Sequence, residues 1–281
     1  MTRRRELEQH RHSLTEIRDI MNSMKTLAYM ETRKLTRFLD AQHAVVQSLE
    51  EVAADLLGFH ADILPETDAA TAVYLLIGTE RGFCGDFNHA VVRHLESTLE
   101  AHPQGDPLLL AVGRKLSSLL EGNKRLAATI DGASAAEEIT SQLSQVVGEL
   151  TVLQQKHGGI AVICLHHDSE DNIQTTKLLP PFQRLLHKAP VFSHPPVLNV
   201  SPREFLAELT EHYLVAALHE ILYASLMAEN YRRVTHLEGA VKHLDDESES
   251  LARLCNTLRQ EEIVEEIEVI LLSSSNPASP V

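Results

Sequence analysis

The first glycine or proline in this chain is Gly58. Everything before it can run as one helix, because nothing there removes a backbone donor or adds the entropic cost of glycine. From about Leu7 to Leu57 such a helix is ~75 Å long at ~1.5 Å per residue. A heptad sustains it: Leu7, Leu14, Met21, Ala28, Leu35, Gln42, Leu49 and Leu56 form one seam. His10, Ile17, Met24, Glu31, Phe38, Val45 and Val52 form the second. This is a coiled-coil register, narrower than the stripe of a helix lying on a globular core. Glu31 and Gln42 interrupt it as polar residues that set register.

The other end of the chain mirrors this one. Behind Ser201 as a cap, Pro202 suits a first helical turn, and no further proline follows until Pro277. Met227, Tyr231, Val234, Leu237, Val241, Leu244, Ser248, Leu251, Cys255 and Leu258 step by three and four. The second helix can reach Leu272, a span of ~100 Å, and residues 273–281 read as a flexible tail. Long helices with narrow seams need partners. The two ends are therefore expected to pair as an antiparallel coiled coil. Their charges agree, since basic residues dominate from Arg3 to Arg37 and acids dominate from Asp245 to Glu268.

Between the helices, Ala72–Ile77, Pro107–Val112 and Ile160–Leu165 are apolar runs of strand length. Helical stretches near Ala90–Leu99, Arg114–Leu120 and Ala135–Lys156 separate them. That alternation predicts a small α/β domain with a largely parallel sheet, to which Ile173–Leu179 adds an edge strand. The expected organisation is a coiled-coil helix over 1–58, an α/β domain over 71–196 and a second coiled-coil helix over 201–272.

With 281 residues, 43% of them hydrophobic, the chain can bury a real core. Aromatics are only 4%, which favours helices packed through aliphatic seams. The formal charge of −15 excludes a nucleic-acid binder, which needs a surplus of cations to track phosphates. Cys84, Cys164 and Cys255 lie far apart, with no CxxC spacing, so neither a disulfide framework nor a zinc site is suggested, and a reducing cytosol fits. No apolar run approaches the ~18 residues of a membrane span. The chain is expected to reach a membrane only through partners, without direct insertion.

The segment Gly78-Thr79-Glu80-Arg81-Gly82-Phe83-Cys84-Gly85-Asp86-Phe87-Asn88 follows a strand and precedes a helix, the context of a phosphate cradle. It has neither GxGxxG nor a GK[ST] ending, so nucleotide binding is disfavoured. Gly82 and Gly85 instead permit a tight turn. Cys84 has no neighbouring His or Asp to activate it as a nucleophile. Adjacent His166 and His167 on a strand point to opposite faces, and His212 and His219 are ~10 Å apart along a helix. Neither pair suits one metal ion, and no cofactor or metal is expected.

Three separated motifs together resemble the γ subunit family of F-type ATP synthases. Met24, Lys25, Leu27, Ala28, Arg33 and Lys34 resemble its Met-rich basic segment. Gly78 to Asn88 is similar to its acidic-Arg-Gly-Leu-Cys-Gly-x-x-Asn loop, and Glu229, Arg233, Arg259, Gln260, Ile263, Glu266 and Ile267 stand at family positions. The resemblance implies a non-catalytic rotor shaft. Its partners would be the α and β subunits, the ε subunit and the membrane c-ring, with the β subunits holding Mg-ATP. It implies partner-contact or coupling roles for Met24, Lys25, Arg81, Cys84, Glu229, Arg233, Arg259, Gln260 and Glu266, and a place at the cytoplasmic face of a bacterial inner membrane. Arg233, Arg81 and Glu229 are expected to contact partners or groups across the shaft rather than to act in catalysis, and since an exposed ion pair is worth only ~0 to 1 kcal/mol, single alanine substitutions are expected to leave the chain folded. Asp86 stands where Gly is usual, and Tyr231 and Arg232 where small residues are usual, which suggests a divergent paralogue from an alternative or sodium-translocating enzyme. The competing readings are a coiled-coil scaffold or regulator with a ligand-binding α/β domain, and a small-molecule enzyme built on that domain.

If Met24 lies near Arg233, Thr2 falls opposite Cys255. Residues from about Thr257 to Leu272 then lack a partner within the chain and form an axle tip.

Overall fold

A computed structural model describes residues 2–64, 71–101, 105–186 and 193–274. Its elements are α1 (Thr2–Phe59), β1 (Thr71–Ile77), α2 (Phe87–Ala101), β2 (Leu108–Val112), α3 (Arg114–Leu119), β3 (Leu126–Ile130), α4 (Ile139–His157), β4 (Ile160–His167), β5 (Ile173–Leu179) and α5 (Pro202–Ser274). Of the expected tail, 275–281 lie outside the described residues. The N-terminus of α5 carries a reciprocal capping box. Glu204 N–H donates to Ser201 Oγ at 3.3 Å, and Ser201 N–H donates to the Glu204 carboxylate at 3.1 Å. The chain divides into two compact units, one containing the described residues of Met1–Leu27 and Val234–Val281, the other Ala28–Arg233.

The larger unit is built on a five-stranded sheet of order β3-β2-β1-β4-β5. Four strands run parallel and β5 returns antiparallel at the edge. Strand alternation separates two cores. Val73, Leu75 and Ile77 of β1 face a core shared with α1, α4 and α5, whereas Tyr74 and Leu76 face α2 and α3. The sheet thus has helices on both faces, which is what lets its parallel strands be apolar on both sides. Strand β3 was not foreseen in the sequence. Its five residues, Leu-Ala-Ala-Thr-Ile, are half exposed along an edge and carry little apolar signal.

Helices α1 and α5 run antiparallel within this unit. Phe38 stacks on Tyr223 with ring centroids 5.6 Å apart, Gln42 Nε2 donates to Ala216 O at 3.1 Å, and His43 Nδ1 lies 2.6 Å from Glu220. The first heptad seam is the buried one. The second is corrected: Phe38, Val45 and Val52 are exposed, while Val46 and Ala53 are buried instead. Here α1 shares a core with α4 and the sheet as well as with α5, and a helix on such a core turns a wider stripe inward. Glu31 departs from its expected seam role too. Its carboxylate accepts from Ala136 N–H at 2.6 Å, and Lys34 pairs with Glu137 beside it.

The smaller unit also pairs its two helical stretches antiparallel. Arg18 meets Asp245 at 2.8 Å, His10 lies 3.7 Å from Glu247, and Arg4 reaches Glu262 at 3.3 Å. The opposite charge biases of the two ends are realised in these contacts, although each exposed pair stabilises by only ~0 to 1 kcal/mol. Leu14, Leu237 and Cys255 supply the buried contacts. Because Arg4 reaches Glu262, pairing within this unit runs past Thr257, and residues 263–272 are exposed.

Candidate functional site

The loop after β1 is held from three directions. At its start Gly78 leaves no room for a side chain, since an added Cβ would sit 2.3 Å from Leu116 Cβ. Asn88, in the first turn of α2, closes the loop from the other end. Its Oδ1 accepts from Thr79 N–H and its Nδ2 donates to Thr79 Oγ1, both at 2.9 Å. The left-handed positions of the turn are Phe83 and Gly85 rather than Gly82, whose carbonyl instead accepts from Arg233 Nε at 3.3 Å.

Glu80 supplies the second anchor. Its buried carboxylate accepts from the N–H of Arg114 at 2.9 Å, from the N–H of Gly132 at 2.8 Å, and from the Arg114 guanidinium. Burial alone would raise its pKa, but these donors hold it below the ordinary carboxylate value. They lie at the ends of β2 and β3, among the strand ends where open α/β sheets take ligands. An incoming anion would meet donors that Glu80 already satisfies.

The third anchor is α5. Glu229 and Arg233 are each only 3% exposed, and Arg233 Nη2 donates to the Glu229 carboxylate. Arg233 also donates to Asn230 Oδ1 at 2.8 Å, and its Nη2 lies 3.6 Å from Cys84 Sγ. Glu229 in turn accepts from the N–H of Arg81 at 3.4 Å. Burial pushes the Glu229 pKa up, while Arg233 and the loop N–H groups pull it back. Cys84 is a buried thiol, pushed up to about 12 by burial and by the Glu229 charge, so it is no nucleophile at neutral pH. Phe87 and Ala228, both fully buried, complete the contact beside Cys84.

The two adjacent histidines go to opposite faces of β4. His166 Nε2 lies 3.1 Å from Thr176 Oγ1 on β5, and burial lowers its pKa. His167 stacks on Phe87 with centroids 3.7 Å apart. Among the described residues there is no group of three or more His, Cys, Asp or Glu able to hold a metal ion. Nor is any described helix long and apolar enough to cross a membrane.

The family model described as ATP synthase matches residues 3–275 of this chain. The chain belongs to the ATP synthase γ chain family. It is 26% identical to the ATP synthase gamma chain of Pelotomaculum thermopropionicum over 95% of this chain and 96% of that protein. It is 22% identical to that of Caldanaerobacter subterraneus subsp. tengcongensis over 94% and 96%. Its fold is similar to a chain in the Euglena gracilis mitochondrial ATP synthase, with a TM-score of 0.63, 14% identity and coverage of 100% of this chain and 99% of that one.

In this γ chain the structure brings Arg81, Cys84, Glu229 and Arg233 together in one cluster. Glu229 and Arg233 are buried rather than exposed as the weak ion-pair expectation assumed, and their side chains make contacts within the chain, fastening the loop to α5. Only the Arg81 side chain of this group is exposed. Met24, Lys25, Arg259, Gln260 and Glu266 belong to the smaller unit, the first two half-buried and the last three exposed. Sequence reasoning missed Glu80 as the hub for three elements, and it missed Asp171. Two of the departures from the family pattern, Asp86 and Arg232, are each other's partners at 2.8 Å.

Proposed function

We propose that this chain is the central rotor shaft of an F-type ATP synthase, a subunit that performs no chemistry and transmits rotation to subunits that do. Its partners are the α and β subunits of the catalytic head, the ε subunit and the membrane c-ring. It works at the cytoplasmic face of a bacterial inner membrane without entering the bilayer, a placement supported by its bacterial relatives. In this reading the α/β domain is gripped by ε and the ring. The smaller unit, with Met24, Lys25, Arg259, Gln260 and Glu266 on its surface, faces the α and β subunits.

One observation carries the reading. The root of α5 is locked to a folded domain by buried Glu229 and Arg233, while its other end exposes Ile263, Val264 and Ile267. A freely solvated helix would be polar all round, so these residues call for an apolar sleeve from another protein. The test is to co-express truncated chains with the α, β and ε subunits and measure complex recovery and ATP-driven rotation. Deleting residues 273–281 leaves both unchanged, and deleting 257–281 lowers recovery or torque while the α/β domain stays folded. Equal performance of the two truncations overturns the bearing role. Purification without α and β subunits would favour the scaffold reading instead.

A further inference from the structure

Arg232 sits next to Arg233 on α5 but faces a different set of partners. Its Nη1 donates to Asp86 Oδ1 at 2.8 Å, and its Nε donates to Asp171 Oδ2. Asp86 immediately precedes α2, and its other oxygen accepts from Arg93 of that helix at 3.0 Å. Asp171 lies in the turn between β4 and β5, in a left-handed conformation with φ 68°, and its Oδ1 is 2.9 Å from His167 Nδ1. Charges therefore alternate through Arg93, Asp86, Arg232 and Asp171 to the buried ring of His167. The network starts in solvent and ends in the core: the side chains of Arg93 and Asp86 are mostly exposed, whereas those of Asp171 and His167 are 15% and 1% exposed.

We propose that Arg232 is a positioning residue of the shaft, one guanidinium that fastens both the β1–α2 loop and the β4–β5 turn to α5. The planar fork is what makes this possible. It offers donors in two directions at once, whereas an ammonium is a single point charge. Glu229 and Arg233 hold the interior of the loop, and Arg232 holds its outer end together with the β4–β5 turn. Helix, loop and hairpin then move as one body when the domain is turned. The coupling readout of this proposal rests on the rotor-shaft reading; the exchange readout does not.

The test begins with amide hydrogen exchange on the full-length chain. Arg232→Met keeps an unbranched apolar stem and removes the guanidinium with its charge. It speeds exchange about tenfold in both 81–86 and 168–173, the scale expected for losing charge-assisted hydrogen bonds at a local opening. Arg232→Lys restores protection in one of the two segments and not in both. Asp86→Asn affects 81–86 alone. Wild-type exchange in Arg232→Met, or full recovery of both segments in Arg232→Lys, overturns the proposal. In the assembled complex Arg232→Met also lowers ions pumped per ATP hydrolysed while hydrolysis persists. Unchanged pumping alongside faster exchange overturns the role in coupling and leaves the rotor reading standing.

Discussion

Two stretches of α5 use apolar residues in opposite ways. Between Leu206 and Ala228 most of them point into the chain's own core, with Leu209, Tyr213, Ala217, Ile221, Leu222 and Leu226 all buried and Val215 the exposed exception among the larger ones. Between residues 257 and 272 none is buried, although Ile263, Val264, Ile267 and Val269 are as apolar as any in the first stretch. The polar groups differ in the same sense. Glu229 and Arg233 are sealed against each other, whereas Arg259, Gln260 and Glu266 stand in solvent. One helix thus carries apolar residues that the chain itself buries and apolar residues that it leaves exposed. Composition alone does not separate them; what the chain itself covers does.

The largest expected effect falls on the buried pair. Arg233→Met leaves Glu229 without its cation in a site that already disfavours charge, and should cost about 3–5 kcal/mol in urea unfolding of the full-length chain. The same substitution at exposed Arg259 should stay within about 0.5 kcal/mol. The sign with pH is fixed by Glu229. Its folded pKa is raised by burial and rises further without Arg233, so the cost belongs to the charged form and shrinks as pH falls through that raised value. Similar losses at the two arginines, or a loss that grows on acidification, would erase the contrast between the two stretches.

Next in size is Glu80, the corresponding anchor inside the α/β domain. Glu80→Gln removes the charge that Arg114 and Gly132 converge on and should cost about 1–3 kcal/mol at neutral pH. Here the folded pKa lies below the ordinary 4.5, so the stabilisation is present above that value and is lost as pH falls through the depressed one. The wild-type advantage over Glu80→Gln should therefore be flat from neutral pH down to about 4.5 and decline from there as pH falls through the depressed folded value. Glu266→Gln at the exposed end should change stability by less than about 0.5 kcal/mol. An advantage for wild type that does not decline at all as pH falls below about 4.5 would show that Glu80 acts through shape rather than charge.

These contrasts also mark what the sequence could and could not convey. The unbroken run before Gly58, the Ser201–Pro202 start of α5 and the alternation of apolar runs with helical stretches were legible, because helix breakers, caps and periodicity act locally. The second heptad seam misled because the pattern at Phe38, Val45 and Val52 does not say that α4 and the sheet share the core of α1 and turn its buried face towards Val46 and Ala53. Strand β3 was silent because a short edge strand needs few apolar residues. At the site, Cys84, Arg81, Glu229 and Arg233 were named together from the resemblance, but the burial of Cys84, Glu229 and Arg233 was not visible. Whether a charged side chain at a helix position faces solvent depends on which loop crosses it, and that loop lies well over a hundred residues away. Asp86 and Arg232 stood out as separate departures, and only the fold reveals that each is the other's partner.

The smallest effect on the chain itself should come from the exposed end of α5. Ile263 and Ile267 lie four residues apart on one helix face, and about half of each is accessible to water. Changing both to Ser removes little buried area, so the urea midpoint of the full-length chain should shift by no more than about 0.5 kcal/mol, near the modest helix-propensity difference between Ile and Ser. If an apolar sleeve covers this face in the assembled enzyme, the same double variant loses burial worth about 1 kcal/mol per side chain at that interface, since only half of each remains to be covered. Recovery of the complex with α and β subunits should then drop several-fold while the chain alone is unaffected. The pattern at the root of the helix is the reverse. Leu222→Ser should lower stability before assembly is ever tested, because the core it leaves belongs to the chain itself. An Ile263→Ser, Ile267→Ser chain that assembles and rotates as well as wild type would mean that its apolar face is incidental. A double variant that is strongly destabilised alone would mean that the face is covered from within the chain, and either result would collapse the distinction between the two stretches of α5.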